Sequence, residues 1–286
     1  MEKPVTPMVP VPNPIKQAVE AFWENQSGRR SNRIGASIIG HECKRRIFYS
    51  FRWCYDENIS GRIKRLFERG KREEEVVHAE LRGIGAVVTD DQKEVTFDQS
   101  IHIVARIDGI VKGLPGAPRK VHLLEIKTLN KSGFGQLLSK GISEQHMAQI
   151  NLAGYGLGID DGLYYPVCKD NDDIAPTRVK INKTDALSLI YKGVAVINSK
   201  TPPPRISDKP SFFLCKMCPA YEQCHFNAPL SKTCRSCQHV EVTNEDTGWF
   251  CTKHQKYLQL KDQEEACDDY NPISEALPGF SRGGNV

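Results

Sequence analysis

The apolar positions of this chain change period several times, and each change marks an element. Ile15, Val19, Ala21, Phe22 and Trp23 recur at helical spacing and predict a helix over Ile15 to Glu24, followed by a polar loop from Ser27 to Arg33. Ser37 is placed to cap a helix carrying Ile38, Ile39, Cys43, Ile47, Phe48 and Phe51, which puts Cys43 at its start beside Lys44, Arg45 and Arg46. A longer helix is expected over Ile63 to Leu81, with Leu66, Phe67, Val76, Val77 and Leu81 as its apolar residues. The period then shortens to two. Residues 85–88 and 94–97 read as strands, and Ile101 to Leu129 as a hairpin whose runs IHIVARIDGIV and KVHLLEIKTL are joined by the turn-rich GLPGAPR. Beyond it, 133–138 and 143–157 read as helices, and 162–167 and 177–181 as strands. A last helix spans Asp185 to Asn198, capped by Thr184 and striped with Leu187, Ile190, Val194 and Ile197.

This order of elements is that of an α/β (α+β) protein. After Thr201-Pro202-Pro203-Pro204 the periodic hydrophobicity fades, and seven of the ten cysteines follow. The expected organisation is a Pro-rich disordered segment (1–14), a globular unit (15–226), a cysteine-rich module held by metal (227–273) and a loose Gly/Pro/Ser-rich tail (274–286).

The hairpin carries the candidate chemistry. Side chains alternate along a strand, so Glu125 and Lys127 share one face while Leu124 and Ile126 take the other. Asp108 ends the first run where it can sit opposite Glu125. Two converging carboxylates repel each other unless a divalent cation lies between them, and an adjacent lysine can then orient a nucleophile or steady a developing anion. That layout suits a metal-dependent phosphodiesterase. A solvent-facing Glu and Lys on an edge strand give the same pattern, so the choice rests on what surrounds it.

At 286 residues, 39% apolar and with a mean hydropathy of −0.46, the chain reads as a globular protein with a substantial core. No apolar run reaches membrane-spanning length, and the N-terminal MEKPVTPMVPVPNP lacks a signal-peptide core, so a cytoplasmic protein with no membrane partner is expected. The net charge of +4 permits a nucleic-acid partner without demanding one. Arg29-Arg30, Lys44-Arg45-Arg46 and the run of Arg62, Lys64, Arg65, Arg69, Lys71 and Arg72 are dense enough to track phosphates, though a solvated helix face has the same appearance. Phe48, Tyr49, Phe51 and Trp53 are base-stacking platforms or core residues.

Ten cysteines without a secretion signal argue for metal rather than disulfides. Cys215-x2-Cys218-x5-Cys224 is one ligand short of a structural zinc or an iron–sulfur cluster, and Cys43 is the natural fourth. A second group, Cys234-x2-Cys237-x13-Cys251-x15-Cys267, suits a small zinc ribbon in which two short hairpins each present a ligand pair; His254 can replace either late cysteine, and His239 is nearby. Cys54 and Cys168 are left over.

Taken in order, these features are a distal cysteine, Gly70-x3-Glu74 on a helix, Asp108 before a turn, Glu125-x-Lys127, a helix bearing Gln149, and a late C-x2-C-x5-C. Over roughly residues 34–226 this order resembles the RecB-like branch of the PD-(D/E)XK nucleases. More narrowly, it is similar to the iron–sulfur exonucleases associated with CRISPR adaptation, their phage-borne relatives, and the nuclease domain of AddB-type helicase–nucleases. The resemblance implies a restriction-endonuclease-like mixed sheet flanked by helices. It implies that Asp108, Glu125, Glu74 and the Ile126 carbonyl hold Mg2+ or Mn2+, that Lys127 positions the attacking water, and that Gln149 orients substrate or the lysine. It also implies that Cys43, Cys215, Cys218 and Cys224 hold a [4Fe–4S] cluster joining the two ends of the nuclease domain. This chain departs from the family pattern at Glu74, where the family has histidine and His78 lies one turn on. It departs again at Ala153, where a tyrosine belongs, the nearest one being Tyr155. The Cys234 to Cys267 module lies outside the family pattern.

The expected activity is that of a DNA nuclease, an exonuclease on single-stranded or frayed ends serving recombination, repair or phage DNA processing. Lys44, Arg45, Arg46, Arg65 and Arg69 would guide the strand, and a helicase, recombinase or single-strand-binding protein would be the partner. The alternative is a non-catalytic iron–sulfur DNA-binding adaptor, which leaves the set of Asp108, Glu125 and Lys127 without a purpose.

Overall fold

The computed structural model describes residues 13–26, 30–90 and 92–273. Most of the expected N-terminal disordered segment, Arg29 and the expected C-terminal tail lie outside the described residues. Asn13 accepts hydrogen bonds from the Ile15 and Lys16 amides at 3.0 and 3.2 Å and so opens α1 (Pro14–Glu24). After β1 (Ile34–Gly35) come α2 (Ala36–Ile39) and α3 (Lys44–Phe51), two helices where the spacing predicts one. The break is held by His41, whose Nδ1 accepts from the Cys43 amide at 3.0 Å, and Cys43 becomes the N-cap of α3. Ser37 lies inside α2 and does not cap it.

Helix α4 (Gly61–Gly83) buries Val77, His78 and Leu81 near its C-terminal end, whereas Leu66, Phe67 and Val76 are exposed. The strands β2 (Val87–Thr89), β3 (Glu94–Phe97), β4 (Ser100–Arg106), β5 (Gly109–Leu114) and β6 (Ala117–Leu129) follow. The run IHIVARIDGIV is therefore two strands, not one arm of a hairpin. β4 joins a three-stranded sheet of order β1-β4-β3, and β5 joins a five-stranded sheet that runs β2-β5-β6 and continues into two later strands. Residues 107 and 108 cross from one sheet to the other.

From β6 the chain passes through α5 (Lys131–Lys140) and α6 (Glu144–Leu157) into β7 (Asp161–Cys168), which pairs parallel to β6 and is buried along nearly its whole length. β8 (Thr177–Lys180) closes that sheet, and α7 (Lys183–Ile197) follows. Asn182, not Thr184, caps α7 by accepting from the Thr184 and Asp185 amides. The five-stranded sheet thus has two covered faces. Leu124 and Ile126 of β6 pack with Val77 and Leu81 of α4, while Leu123 joins a larger cluster with Ile150, Leu152 and Ile190. This is a mixed α/β architecture of mixed sheets flanked by helices.

The cysteine-rich segment adds α8 (Phe213–Lys216), α9 (Tyr221–Phe226), a 3-10 turn at Cys234–Ser236, a meander of β9 (Val240–Val242), β10 (Trp249–Cys251) and β11 (Lys256–Tyr257), and α10 (Leu260–Glu264). Cys234 opens the turn and Cys237 closes it, Cys251 ends β10 at its hairpin with β11, and Cys267 follows α10, so the cysteines are not presented in pairs by two hairpins. Val240, Trp249, Leu258 and Ile273 share the large hydrophobic cluster with Phe48 and Phe51 of α3. Among the described residues no helix is long and apolar enough to cross a membrane.

Gly248 marks how tightly this segment packs. Its φ of +80° belongs to glycine, and a Cβ there would lie 2.2 Å from His102 Cε1. His102 is itself buried against Phe51 and Trp249, with Nε2 donating to the Thr243 carbonyl at 2.7 Å. Gly248→Ala should lower stability by roughly 2–4 kcal/mol through backbone strain and overpacking. Denaturant unfolding of parent and variant measures this, and an unchanged midpoint would contradict the packing described.

Candidate active site

The crossing between the sheets seats Asp108. Gly109 pairs with Leu124 in the antiparallel register of β5 and β6, which leaves Asp108 facing the Glu125–Ile126 peptide. Asp108 Oδ2 accepts from the Ile126 amide at 2.7 Å, and His78 Nε2 of α4 donates to the Asp108 carbonyl at 2.7 Å. Asp108 is thus held at its side chain by β6 and at its backbone by the helix that also carries Glu74. Gln92 Nε2 donates to Glu74 Oε2 at 2.6 Å. Lys127 makes an ion pair with Glu125 Oε1.

Three carboxyl groups share this corner, and their protonation shows the strain. Burial pushes Glu125 up to about 7 against the pull of Lys127, with Asp108 and Glu74 adding to the push. Burial, then Asp108, raises Glu74 to about 7 as well. Asp108 is raised by burial, although Lys127, the Ile126 amide and His78 draw it back. Burial works against the Lys127 ammonium, but Glu125, Asp108 and Glu74 outweigh it and its affinity for the proton rises. On α6, burial and the charge of Lys127 hold His146 down at about 4, and its Nδ1 meets the Tyr164 hydroxyl at 2.8 Å. Oxygen donors at this density, three acids gathered about Lys127, fit a hard divalent ion, which would hold the carboxylates ionised.

Asp108, Glu125, Lys127 and Gln149 line one cleft of about 490 Å³, together with Arg33, Ser37, Glu94, Arg106 and Leu260. Gln149 reaches it from α6, and Leu260 from α10 of the cysteine-rich segment. Glu74 does not line the cleft but lies within the electrostatic reach of Asp108, Glu125 and Lys127. Sequence reasoning missed Arg33, Glu94 and Arg106. Glu94 and Arg106 are cross-strand partners in the β3–β4 register, and Glu94 pairs with Arg33 at 2.7 Å and with Arg106 at 3.8 Å. The signal was a strand pairing, which no local pattern shows.

The basic residues separate. Lys44, Arg65 and Arg69 are exposed, and Arg69 donates to the Lys169 carbonyl at 2.7 Å. Arg46 meets His41 Nε2 at 2.9 Å. Arg45 is buried, donating through Nε to the Pro203 carbonyl at 2.6 Å and through Nη1 to Cys224 Sγ at 3.8 Å, so it serves the interior and is withdrawn from any strand-guiding surface. Phe48, Tyr49, Phe51 and Trp53 are all buried, which removes them as stacking platforms. Tyr155 packs against the core.

Cys43, Cys215, Cys218 and Cys224 line a single pocket with Arg45, Arg46 and Tyr49. The Cys215 and Cys218 thiols are pushed up by burial first, and both feel Cys43 and Cys224. In the second group, burial raises Cys234 to about 11, and Cys267, Cys237 and Cys251 add to it. Among the described residues, His254, Cys267 and Asp269 form the one set of three donors lying within 4.8 Å of one another. Cys54 and Cys168 are buried free thiols.

The raised carboxylates fix the sign of a pH effect. Between the ordinary glutamate value of 4.5 and about 7, the folded chain keeps protons on Glu125 and Glu74 that the unfolded chain has released. The stability of metal-free protein should therefore fall as pH rises through that window. Denaturant midpoints across the window should show a shallower slope for Glu125→Gln than for the parent, and equal slopes would contradict the buried, crowded carboxylate.

No protein-family model matches the chain, and no curated protein matches it. Among solved structures, the alkaline exonuclease LHK-Exo from Laribacter hongkongensis is 14% identical, over 62% of this chain and 90% of that one, with a TM-score of 0.43. The same exonuclease in complex with dAMP is 16% identical over 62% and 90% of the two chains, with a TM-score of 0.39. SSO0001 is 16% identical over 71% and 90%, with a TM-score of 0.43. Superpositions this loose carry neither residue roles nor activity to this chain.

Proposed function

We propose that this protein is a PD-(D/E)XK-type, divalent-metal-dependent deoxyribonuclease, acting as an exonuclease on single-stranded or frayed DNA ends. The observation that carries the reading is the meeting of Asp108, Glu125 and Lys127 in one cleft that Gln149 faces from another element. Asp108, Glu125 and Glu74 are the residues to hold Mg2+ or Mn2+, with the Ile126 carbonyl as a further donor. Such an ion, when bound, supplies neutralisation of the scissile phosphate and a more acidic water. The chain supplies the rest. The Ile126 amide and His78 keep Asp108 in place, so that its carboxylate needs little reorganisation during the reaction. Lys127, half-buried and held cationic by its acidic neighbours, is set to orient the attacking water and to share negative charge developing on phosphate. Gln149 offers an amide that can accept or donate to the bound strand. Arginines of the cleft and exposed cations such as Lys44, Arg65 and Arg69 supply the sequence-independent attraction to phosphates.

A second part of the proposal is a [4Fe–4S] cluster on Cys43, Cys215, Cys218 and Cys224. Its support is that four thiols from distant parts of the sequence line one pocket, with the Arg45 guanidinium donating to Cys224 Sγ. Hydrogen bonds to cluster sulfur are a means by which proteins tune such centres. Anaerobically purified protein should contain iron and inorganic sulfide in equal amounts, both lost in Cys43→Ser. Colourless, iron-free parent protein would remove the cluster.

The activity is tested on end-labelled single-stranded, duplex and circular DNA with Mg2+ or Mn2+. Linear but not circular substrate should be degraded, with Lys127→Ala slower by about 100-fold or more and Asp108→Asn inactive. A Lys127→Ala protein as fast as the parent would overturn the site assignment. If parent and variants all bind DNA and none cuts it, the adaptor reading replaces the nuclease.

A further inference from the structure

Lys44, Arg46 and Lys192 come together where α2 gives way to α3 and α7 packs against both helices. His41 lies at their centre. Its Nδ1 accepts from the Cys43 amide at 3.0 Å, so the neutral ring carries its proton on Nε2. That Nε2 meets Arg46 Nη1 at 2.9 Å, and an arginine nitrogen can only donate. Two donors therefore face each other with no acceptor between them. A second proton on the ring would only set Nδ1–H against the Cys43 amide as well, and burial, then the charges of Arg46 and Lys192, holds His41 below its ordinary value. The Arg46 Nε is buried without a partner. Lys192 Nζ donates to the His41 carbonyl at 3.2 Å, and burial followed by the charge of Lys44 lowers its affinity for the proton. Among the described residues none of Lys44, Arg46 and Lys192 makes an ion pair, and Glu42, the one carboxylate of residues 36–46, is exposed and makes none either. Donors and like charges crowd here at a cost that a bound anion would remove.

The corner adjoins the cleft. Ser37 and Gln149 both line the cleft, and Gln145 Nε2 of α6 donates to the Ser37 carbonyl at 2.9 Å. Gly40 lies so close to α6 that a Cβ there would come within 2.9 Å of Ala148 Cβ. Helix α2 is thus seated on the helix that presents Gln149, and His41 follows Ser37 by about one helical turn. We infer that His41, Lys44, Arg46 and Lys192 bind a backbone phosphate of the nucleic-acid strand held in the cleft, an assignment that rests on the proposed nuclease activity. A phosphodiester oxygen accepts from the His41 Nε2–H and from the Arg46 guanidinium together, which replaces two opposed donors by two hydrogen bonds, while Lys44 and Lys192 supply charge. Contacts to phosphate carry no base preference, as a nuclease for strands of any sequence requires.

The longer basic run of α4 is engaged elsewhere. Lys71 and Arg72 lie 3.8 and 3.9 Å from the Glu68 carboxylate, Lys64 donates to the Glu24 and Gln26 carbonyls at 2.8 and 2.7 Å, and Arg69 donates to that of Lys169. Fewer cations stand between α2 and α7, but they lack such partners, and a phosphate gains more from a cation that has none to give up.

The test is binding of a fluorescent single-stranded oligonucleotide to the full chain, in EDTA to hold off cleavage and over a range of salt. Lys44→Ala and Lys192→Ala should each weaken binding about 3- to 10-fold and each reduce the slope of log K against log salt by about 0.7, and Lys192→Arg should restore the slope. Lys183→Ala removes a lysine of the same helix that already pairs with Asp160 at 2.7 Å, and it should leave both quantities unchanged. Lys192→Ala also deletes the bond to the His41 carbonyl, whereas Lys44 is exposed and holds no such bond. A loss confined to Lys192→Ala therefore reports a structural defect and overturns the site. Variants that all bind as the parent does overturn it too and leave the nuclease reading standing; a parent that binds no strand removes both. The bound oligonucleotide should also protect Lys192 from acetylation, read by mass spectrometry. Equal protection by inorganic phosphate alone would assign the corner to the free ion and overturn the strand contact.

Discussion

Ionised groups held out of water need a partner of opposite sign, and the protein sets this condition at Asp108. The carboxylate sits where the backbone leaves one sheet for another, with the Ile126 amide on one side and the His78 bond to its carbonyl on the other. Both sheets must be in place before it can face Glu125. The same placement crowds three acids around Lys127, and burial together with their mutual repulsion raises Glu125 and Glu74 to about 7. Such an arrangement costs stability in the bare chain, and it makes sense as a site prepared for positive charge.

The sheets and helices keep that corner in register. β6 contributes alternate residues to two cores, with Leu124 and Ile126 on the α4 side and Leu123 on the other, so a slip of one residue would exchange Glu125 for an aliphatic side chain. Parallel pairing with β7 extends from Leu123 to Leu129 and fixes the strand over the whole stretch that carries Glu125 and Lys127. Because the crossover between β6 and β7 consists of α5 and α6, the connection that permits parallel pairing also delivers Gln149 to the cleft.

Much of this was legible in the sequence because it is local. The alternation in KVHLLEIKTL gives the two faces of β6, and the register places Asp108 across from Glu125 as the spacing suggests. The switch of sheets at residues 107 and 108 was not legible, since both sheets bury apolar side chains and the hydrophobic run does not mark a change of partner. Phe48, Phe51 and Trp53 show a similar limit. Helical spacing says that Phe48 and Phe51 share a face, but not that a segment two hundred residues away covers it. The cysteine spacings single out two groups of cysteines, yet nothing in C-x2-C says that the intervening Arg235 points into the core.

The cysteine-rich segment therefore behaves as part of the fold and not as an ornament on it. Trp249, Val240 and Ile273 complete the hydrophobic cluster over α3, and His102 of β4 is fastened to Thr243. Arginine is a costly residue to place at such a junction, because an apolar side chain of similar size would pack without any charge to neutralise. What arginine adds is direction: five donors in a fixed fork reach Phe51, Asn32 and Gln263 at once and tie three separate segments to one point. Asn32 is in the wall of the cleft, Phe51 ends α3, and Gln263 belongs to the helix that sends Leu260 to the cleft rim. An apolar plug would fill the space and leave those three segments free to slide, whereas the guanidinium holds the rim at a set distance from Asp108 and Glu125.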